Sequence, residues 1–188
     1  MQNIPCVILC GGKSSRMQRD KCFLEFRSKS LVCYEFDKMS GFFKRVFISC
    51  KDDKFGGKFG SLIFDERNFG EIHSPMLAMY SILKHFDDEF IFIIPVDMPF
   101  VSFESIQRLM SERENALVVA AKSGAKEHFL CGLYHSSLAP LCAEFLRKDI
   151  HKMKALSQSV AHKFIEFADD KEWANLNSPQ DYESVKNA

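Results

Sequence analysis

The sequence has no surplus of charge of either sign, because Lys plus Arg and Asp plus Glu each number 25 in 188 residues. Non-specific binding of nucleic acid depends on a basic surplus, so this balance argues against a nucleic-acid partner. Long apolar runs are also missing: residues 90–96 form the longest, far short of the about 20 residues that span a bilayer. The composition therefore favours an ordinary globular protein with neither a nucleic-acid nor a membrane partner.

Cysteine pairs of the C-x-x-C type are absent, although the chain has seven cysteines. Cys6 and Cys10 have the spacing of a loose metal pair, but both lie in an apolar run, where cysteine usually behaves as a small buried hydrophobe. No signal peptide is visible, since the first apolar run leads directly into Gly11 and Gly12. We therefore predict a reduced protein in the cytoplasm.

Apolar runs of strand length alternate with segments of helical pattern along the chain. The predicted strands are residues 4–10, 45–50, 62–64, 90–96, 116–121, 129–134 and 163–167. The predicted helices are residues 31–39, 75–86, 102–112, 138–147 and 152–160, with a last helix that begins at Ser178-Pro179. Strands that are apolar throughout and alternate with helices indicate a mostly parallel α/β sheet covered on both faces. With no repeat or linker, we expect one domain over residues 1–188, in which the less regular segment 122–161 is a candidate lid.

The run LCGGKSSRMQRDK, residues 9–21, follows the first predicted strand, at the sheet edge where such folds bind ligands. Gly11 and Gly12 let backbone N–H groups approach an anion closely, and Arg16 and Lys21 can neutralise phosphate charge. The run is neither G-x-x-x-x-G-K-[ST] nor G-x-G-x-x-G. The residues alone therefore leave two interpretations, a phosphate-binding loop and a basic solvated turn.

Two carboxylate residues, Asp65 and Asp97, come directly after later predicted strands. Asp97 follows the most apolar predicted strand, and a hard oxygen ligand there suits Mg²⁺, which takes one or two carboxylates together with phosphate oxygens. The alternative for Asp97 is a cap of a helix or turn. Asp65 ends the third predicted strand and either accepts hydrogen bonds from a base or ribose or begins a turn.

Four motifs in this order resemble those of the molybdenum cofactor guanylyltransferases, the MobA family of nucleotidyltransferases. Residues 9–21 resemble its L-x-G-G-x-S-x-R-M-x-x-D-K signature, and Asp65 with residues 74–78 resembles its aspartate followed by G-P-L-x-G. Residues 97–100 resemble its D-x-P-[FY] metal motif, and residues 175–179 its N-x-N-[ST]-P ending. Together the motifs span nearly the whole chain.

The resemblance implies a Rossmann-like three-layer α/β/α nucleotidyltransferase fold and the transfer of GMP from Mg-GTP to the terminal phosphate of molybdopterin, with release of pyrophosphate. GTP and molybdopterin are then the substrates, Mg²⁺ is the cofactor, and molybdoenzyme precursors or other cofactor-biosynthesis proteins are possible partners. The implied nucleotide-binding residues are Leu9, Cys10, Gly11, Gly12, Lys21, Ser49, Asp65 and Asp97. In addition, Arg16 steadies the triphosphate, Asp97 holds the metal, and Asn175 and Asn177 lie near the acceptor or the metal.

The chain departs from the family pattern at several positions. Gln18 stands where a glycine is usual, Ser49 replaces an asparagine, and Ser74 and Ala78 replace the glycines of G-P-L-x-G. His128 is a loose match to a family histidine that is normally followed by proline, and a histidine there is more often a surface or packing residue. These departures leave alternatives open: transfer of CMP to molybdopterin, transfer to a sugar or polyol phosphate, or a nucleotide-binding protein without catalysis.

Overall fold

The computed structural model describes residues 1–11, 20–70, 72–169 and 171–185, which form nine strands and six α-helices. The strands are β1 (Cys6–Leu9), β2 (Glu25–Phe26), β3 (Lys29–Ser30), β4 (Val46–Cys50), β5 (Leu62–Phe64), β6 (Phe90–Pro95), β7 (Val118–Ser123), β8 (Lys126–His135) and β9 (His162–Phe167). The helices are α1 (Leu31–Ser40), α2 (Pro75–Lys84), α3 (Phe103–Ser111), α4 (Ala139–Arg147), α5 (Met153–Gln158) and α6 (Pro179–Val185). Gly12, Arg16 and Gln18 lie outside the described residues.

Seven strands form one sheet in the order β5-β4-β1-β6-β8-β7-β9, and β2 pairs with β3 in a small separate hairpin. Neighbouring strands run parallel except where β8 lies antiparallel to both β6 and β7. The predicted mostly parallel sheet is therefore confirmed. The antiparallel direction of β8 has a consequence for the site, since this strand begins at the sheet edge where β1 and β6 end.

Both faces of the sheet are buried, which explains why its strands are apolar throughout. In β1, Cys6 and Ile8 belong to the core on one face, while Val7 and Leu9 belong to the core on the other. Residues of α1 and α3 fill the first core, and residues of α2, α4 and α5 fill the second. The result is the predicted three-layer α/β/α arrangement.

The segment 122–161 is not a lid, and this prediction was wrong. It contains the end of β7, the ten-residue strand β8, and helices α4 and α5, which pack in the second core. Within β8, one position requires glycine. A Cβ at Gly132 would lie 2.2 Å from the carbonyl oxygen of Val119, so close approach of β7 requires glycine here.

Predicted helix caps agree with the structure. Ser102 accepts a hydrogen bond from the N–H of Ser105 at the start of α3, and Ser178 accepts one from Asp181 in α6. All seven cysteines are described and carry free thiols, and six of them, including Cys6 and Cys10, are buried. Within the described ranges, none of the helices has the length and apolar character needed to cross a membrane.

Glu35 in α1 is a charged residue in the first core. It is 0% exposed, and neither of its carboxylate oxygens has a hydrogen-bond partner among the described residues. The Lys38 ammonium lies 3.7 Å from Oε1 and donates instead to the carbonyl oxygen of Pro99 at 2.9 Å. Burial raises the pKa of Glu35 to about 7, and Lys38 offsets part of this effect.

We predict that Glu35→Gln makes the stability of the protein less dependent on pH. Because the folded state holds this proton more tightly than the unfolded state, wild-type stability falls as the pH rises from about 4.5 to about 7 and then levels off. The shift corresponds to roughly 3 kcal/mol in the free energy of unfolding, a contribution that the variant lacks. Urea unfolding at pH 5 and pH 8 measures the difference.

The matched control is Glu104→Gln, which neutralises an exposed carboxylate in the first turn of α3. It should keep the wild-type pH dependence. An identical pH dependence in the wild type and in Glu35→Gln would contradict the prediction.

Candidate functional site

The order of the strands creates a crevice at the carboxyl end of β1. The chain passes from β1 to β4 and β5 on one side and then returns to β6 on the other, so the topology reverses between β1 and β6. Ligands of open α/β sheets bind at such a point. Here the N–H of Val96 donates to the carbonyl oxygen of Leu9 at 3.0 Å, which places Cys10 and Gly11 beside the turn that carries Asp97.

Asp97 is the centre of a network that joins three distant parts of the chain. Lys21 Nζ lies 2.6 Å from Asp97 Oδ2 and also donates to Asn177 Oδ1 at 2.8 Å. Asn175 Nδ2 donates to the second carboxylate oxygen, Oδ1, at 3.2 Å. The side chains of Lys21 and Asp97 are only 17% and 13% exposed, so solvent screens this ion pair less than a surface pair. The structure therefore brings together four of the predicted site residues.

Local structure holds each member of this network in place. Lys21 begins a 3-10 helix whose first turn is capped by Asp20, which accepts from the N–H of Cys22 at 3.0 Å. The N–H of Leu176 donates to the carbonyl oxygen of Asp97 at 2.9 Å, so the two asparagines flank a direct backbone contact. Leu176 itself is 1% exposed, which anchors their segment in the first core.

The segment before the asparagines is anchored as well. Trp173 is 1% exposed and packs on Phe167 with ring centroids 4.6 Å apart. Glu172 accepts hydrogen bonds from the N–H of Ser102 and the hydroxyl of Ser105, at 2.6 and 2.9 Å. These contacts fix the segment to α3 and to the end of β9.

The backbone of residues 9–11 is partly engaged in the sheet. The N–H of Cys10 donates to the carbonyl oxygen of Ser49 at 2.8 Å, and the Leu9 carbonyl oxygen accepts from Val96. Gly11 is exposed, and a Cβ added there would meet no atom of the described residues within 4 Å. Ser49 lies within β4 rather than after it and is 2% exposed, so its contact with a nucleotide stays a prediction.

Lys54 is a part of this region that the sequence analysis missed. Its Nζ donates to the carbonyl oxygen of Cys10 at 2.9 Å and to Asp20 Oδ2 at 2.5 Å. Burial lowers the pKa of Lys54, but Asp20 and Cys22 together outweigh this effect and raise it. Lys54 thus links the end of the β1 run to the residue before Lys21, and Phe55 beside it packs against Phe23 at 5.8 Å.

Asp65 lies on the other side of β1, at the end of β5. Three strand spacings separate β5 from β6 in the sheet, or roughly 14 Å, so Asp65 does not join the Asp97 network. Burial raises the pKa of Asp65, and nearby Asp52 acts in the same direction, while His73 and Lys51 lower it. A half-buried carboxylate at this point can accept hydrogen bonds from N–H groups of a ligand.

The start of α2 shows how the chain accommodates Ser74 in place of a glycine. Ser74 has an extended backbone (φ −141°) that any residue can adopt, and its hydroxyl caps the helix by accepting from the N–H of Leu77. The same hydroxyl is 3.1 Å from His151 Nδ1. The substitution therefore brings a helix cap that glycine cannot supply, and no positive φ at this position demands glycine.

The oxygen atoms around Asp97 suit a metal ion that arrives with a nucleotide. Across the described residues, no group of three or more His, Cys, Asp or Glu side chains could hold a metal alone. Asp97 supplies one carboxylate, and Asn175 and Asn177 supply amide oxygens nearby. This donor set fits Mg²⁺, which keeps few protein ligands and takes the rest from phosphate and water.

Comparisons with known proteins identify the family of the chain. Residues 6–163 match the MobA-like NTP transferase domain. A molybdenum cofactor guanylyltransferase from Campylobacter jejuni (strain RM1221) is 44% identical over 187 residues, which cover 99% of this chain and 97% of that protein. One of the same name from Helicobacter pylori (strain P12) is 35% identical over 189 residues, covering 97% and 92%.

A solved structure, molybdopterin-guanine dinucleotide biosynthesis protein A from Archaeoglobus fulgidus, has the same fold, with a TM-score of 0.83, 97% coverage of both chains and 19% identity. Residues 6–163 of the present chain match the domain, and the Campylobacter and Helicobacter relatives align with the chain almost end to end. The chain therefore belongs to the MobA-like NTP transferase family.

Proposed function

We propose that the chain transfers GMP from GTP to the terminal phosphate of molybdopterin and releases pyrophosphate. The observation that carries this proposal is the network of Lys21, Asp97, Asn175 and Asn177, in which three sequence motifs of the family meet at one point of the crevice. The names of the Campylobacter and Helicobacter relatives support the choice of substrate.

The main task of the site is to bring two polyanions together. An oxygen of the acceptor phosphate forms a bond to the α-phosphorus of GTP, and the bond from that phosphorus to the β-phosphate oxygen breaks. Since a phosphate monoester is already anionic at neutral pH, the reaction requires no strong general base and no covalent intermediate. Positioning and charge neutralisation are what the protein supplies.

Lys21 is the described cation best placed for the triphosphate. An ammonium has three donors, and contacts among the described residues engage two of them, with Asp97 and Asn177. Lys21 can therefore reach a phosphate oxygen while it stays in the network. Mg²⁺, held by Asp97 with the amide oxygens of Asn175 and Asn177 nearby, would neutralise negative charge on the phosphate oxygens.

Arg16 and Gly12 complete the nucleotide site in this proposal. Gly11 and Gly12 give close backbone approach to the nucleotide, and Arg16 steadies the triphosphate as pyrophosphate departs. Their roles rest on the sequence motif, since Gly12 and Arg16 lie outside the described residues.

Asp65 is proposed to read the base. Guanine presents its N1–H and its 2-amino group side by side, so one carboxylate can accept from both, whereas cytosine offers only its 4-amino group. The partial burial of Asp65 strengthens such a contact, because less water competes for the carboxylate. Since Asp65 follows β5 and Asp97 follows β6, strands on either side of β1, base and phosphates would lie on opposite sides of the β1 end.

The cytoplasmic location is part of the proposal, and it is supported by seven free thiols, six of them buried. The dinucleotide product must reach molybdoenzymes. The proposed partners are therefore molybdoenzyme precursors or other proteins of cofactor synthesis.

The role of Asp97 is tested by substitution. We expect Asp97→Ala to lower turnover by about a thousandfold or more, because it removes the carboxylate that fixes Lys21 and Asn175 and is proposed to hold the metal. Pyrophosphate release with GTP, Mg²⁺ and molybdopterin gives the rate, and thermal unfolding confirms the fold. Asp87→Ala, an exposed acid near the opposite end of β6, should behave as the wild type; normal turnover in Asp97→Ala would disprove the assignment.

The choice of nucleotide is tested with a panel. Purified protein with Mg²⁺ and molybdopterin is offered GTP, CTP, ATP and UTP in turn, and pyrophosphate release is measured. GTP should be preferred. A preference for CTP would establish a cytidylyltransferase instead, and release with none of the four would favour a protein that binds nucleotides without catalysis.

Asp65→Asn should weaken the preference for GTP over CTP. Loss of a bidentate carboxylate contact with guanine is expected to lower kcat/KM for GTP by about tenfold to a hundredfold and to leave that for CTP nearly unchanged. The matched control is Asp52→Asn, an exposed acid near Asp65. Equal losses with both nucleotides would show that Asp65 supports the fold of the site rather than base recognition.

A further inference from the structure

A second lysine, Lys126, lies next to the Asp97 network. Lys126 Nζ donates to Asn175 Oδ1 at 3.1 Å, and the amide nitrogen of the same Asn175 donates to Asp97 Oδ1. Lys21 contacts the other carboxylate oxygen, Oδ2. Two ammonium groups therefore flank one carboxylate, one directly and one through an amide.

The direction of β8 explains how Lys126 reaches this position. Lys126 is the first residue of β8, and because β8 runs antiparallel to β6, its start lies at the sheet edge where β1 and β6 end. A parallel strand in the same place would bring its last residue there instead.

Packing beneath the hairpin of β7 and β8 holds Lys126 against the asparagine segment. His128, two residues along the same strand, is 5% exposed, and its Nε2 is 2.9 Å from the hydroxyl of Ser123 across the hairpin. The His128 ring packs on Trp173, with centroids 5.5 Å apart. Trp173 lies two residues before Asn175, so packing of His128 on Trp173 in the core holds Lys126 beside Asn175.

The charge of Lys126 is left uncompensated within the described part of the chain. Its partner there is a neutral amide, and no described carboxylate lies within 4.0 Å of its Nζ. Lys122 on the same hairpin differs, since its Nζ is 3.9 Å from Glu166 Oε1. Lys21 differs too, because Asp97 neutralises it. An exposed ammonium beside the reacting centre is suited to a doubly charged phosphate monoester.

We propose that Lys126 binds the attacking phosphate of the acceptor, so that Lys21 serves the nucleotide and Lys126 serves the second substrate. This inference rests on the proposed function, because it assigns the acceptor half of the same site. In the transfer, the acceptor oxygen held by Lys126 bonds to the α-phosphorus while pyrophosphate leaves. The attacking oxygen carries no proton that must be removed.

Steady-state kinetics of Lys126→Ala, Lys126→Arg and Lys122→Ala test the proposal, with GTP and molybdopterin varied separately. In Lys126→Ala the KM for molybdopterin should rise about tenfold to a hundredfold, since a charge-assisted contact is lost, while the KM for GTP and the thermal unfolding midpoint stay near wild type. Lys126→Arg should restore most of the affinity for molybdopterin. Lys122→Ala, the matched control on the same hairpin, should match the wild type.

Different failures are distinguishable in this experiment. An active wild type with an unchanged molybdopterin KM in Lys126→Ala would overturn the role of Lys126 and leave the proposed function standing. A rise in the KM for GTP equal to that for molybdopterin, or no rescue by arginine, would show a structural role instead. A wild type that releases no pyrophosphate from any nucleotide with molybdopterin would overturn both proposals.

Discussion

The contact between Lys21 and Asp97 is the interaction on which the site depends. Lys21 Nζ and Asp97 Oδ2 are 2.6 Å apart, although the two residues are 76 positions apart in the sequence. Asn175 and Asn177, from a third region of the chain, bind to the same pair. A carboxylate that is 13% exposed destabilises the fold unless it is paired, so the free protein needs these partners before any substrate binds. The same groups are the ones that a bound nucleotide would use. Stability of the folded protein and readiness for a polyphosphate therefore come from one set of side chains.

The sheet determines why this contact forms where it does. Both faces of the sheet are buried, so the strands offer polar groups chiefly at their ends. The carboxyl ends of β1, β4, β5 and β6 lie side by side, with Leu9 paired to Ser49 and to Pro95 in register. Residues that follow these strands, Gly11, Asp65 and Asp97, are consequently distributed along one edge. An elongated ligand with a base at one end and phosphates at the other matches that distribution.

Much of this could be predicted from the sequence, because the relevant patterns are local. Apolar runs that stop at Gly11, Asp65 and Asp97 mark the strand ends, and the order of the motifs led to Lys21, Asp97 and the two asparagines. Lys54 and Lys126 could not be found in this way, because their contacts with Cys10 and Asn175 span 44 and 49 positions and no local pattern precedes them. The direction of β8 could not be predicted from hydrophobic periodicity either, since parallel and antiparallel strands can share the same apolar pattern. Glu35 looks like any surface residue of an amphipathic helix until the packing of α1 is known.

The structure shows contacts for two residues that differ from the family pattern or match it only loosely. Ser74 and His128 are explained by contacts, one as a helix cap and one as a link between the β7–β8 hairpin and Trp173. The Ser74 contact does not need the glycine that is usual in the family, so α2 begins in the same way with a different side chain there. The two lysines differ in their environment: the largely buried Lys21 is paired with Asp97, whereas Lys126 is exposed and its partner is an uncharged amide. A site that joins two polyanions benefits from this asymmetry, since one cation stabilises the folded protein and the other keeps its full charge for the incoming substrate.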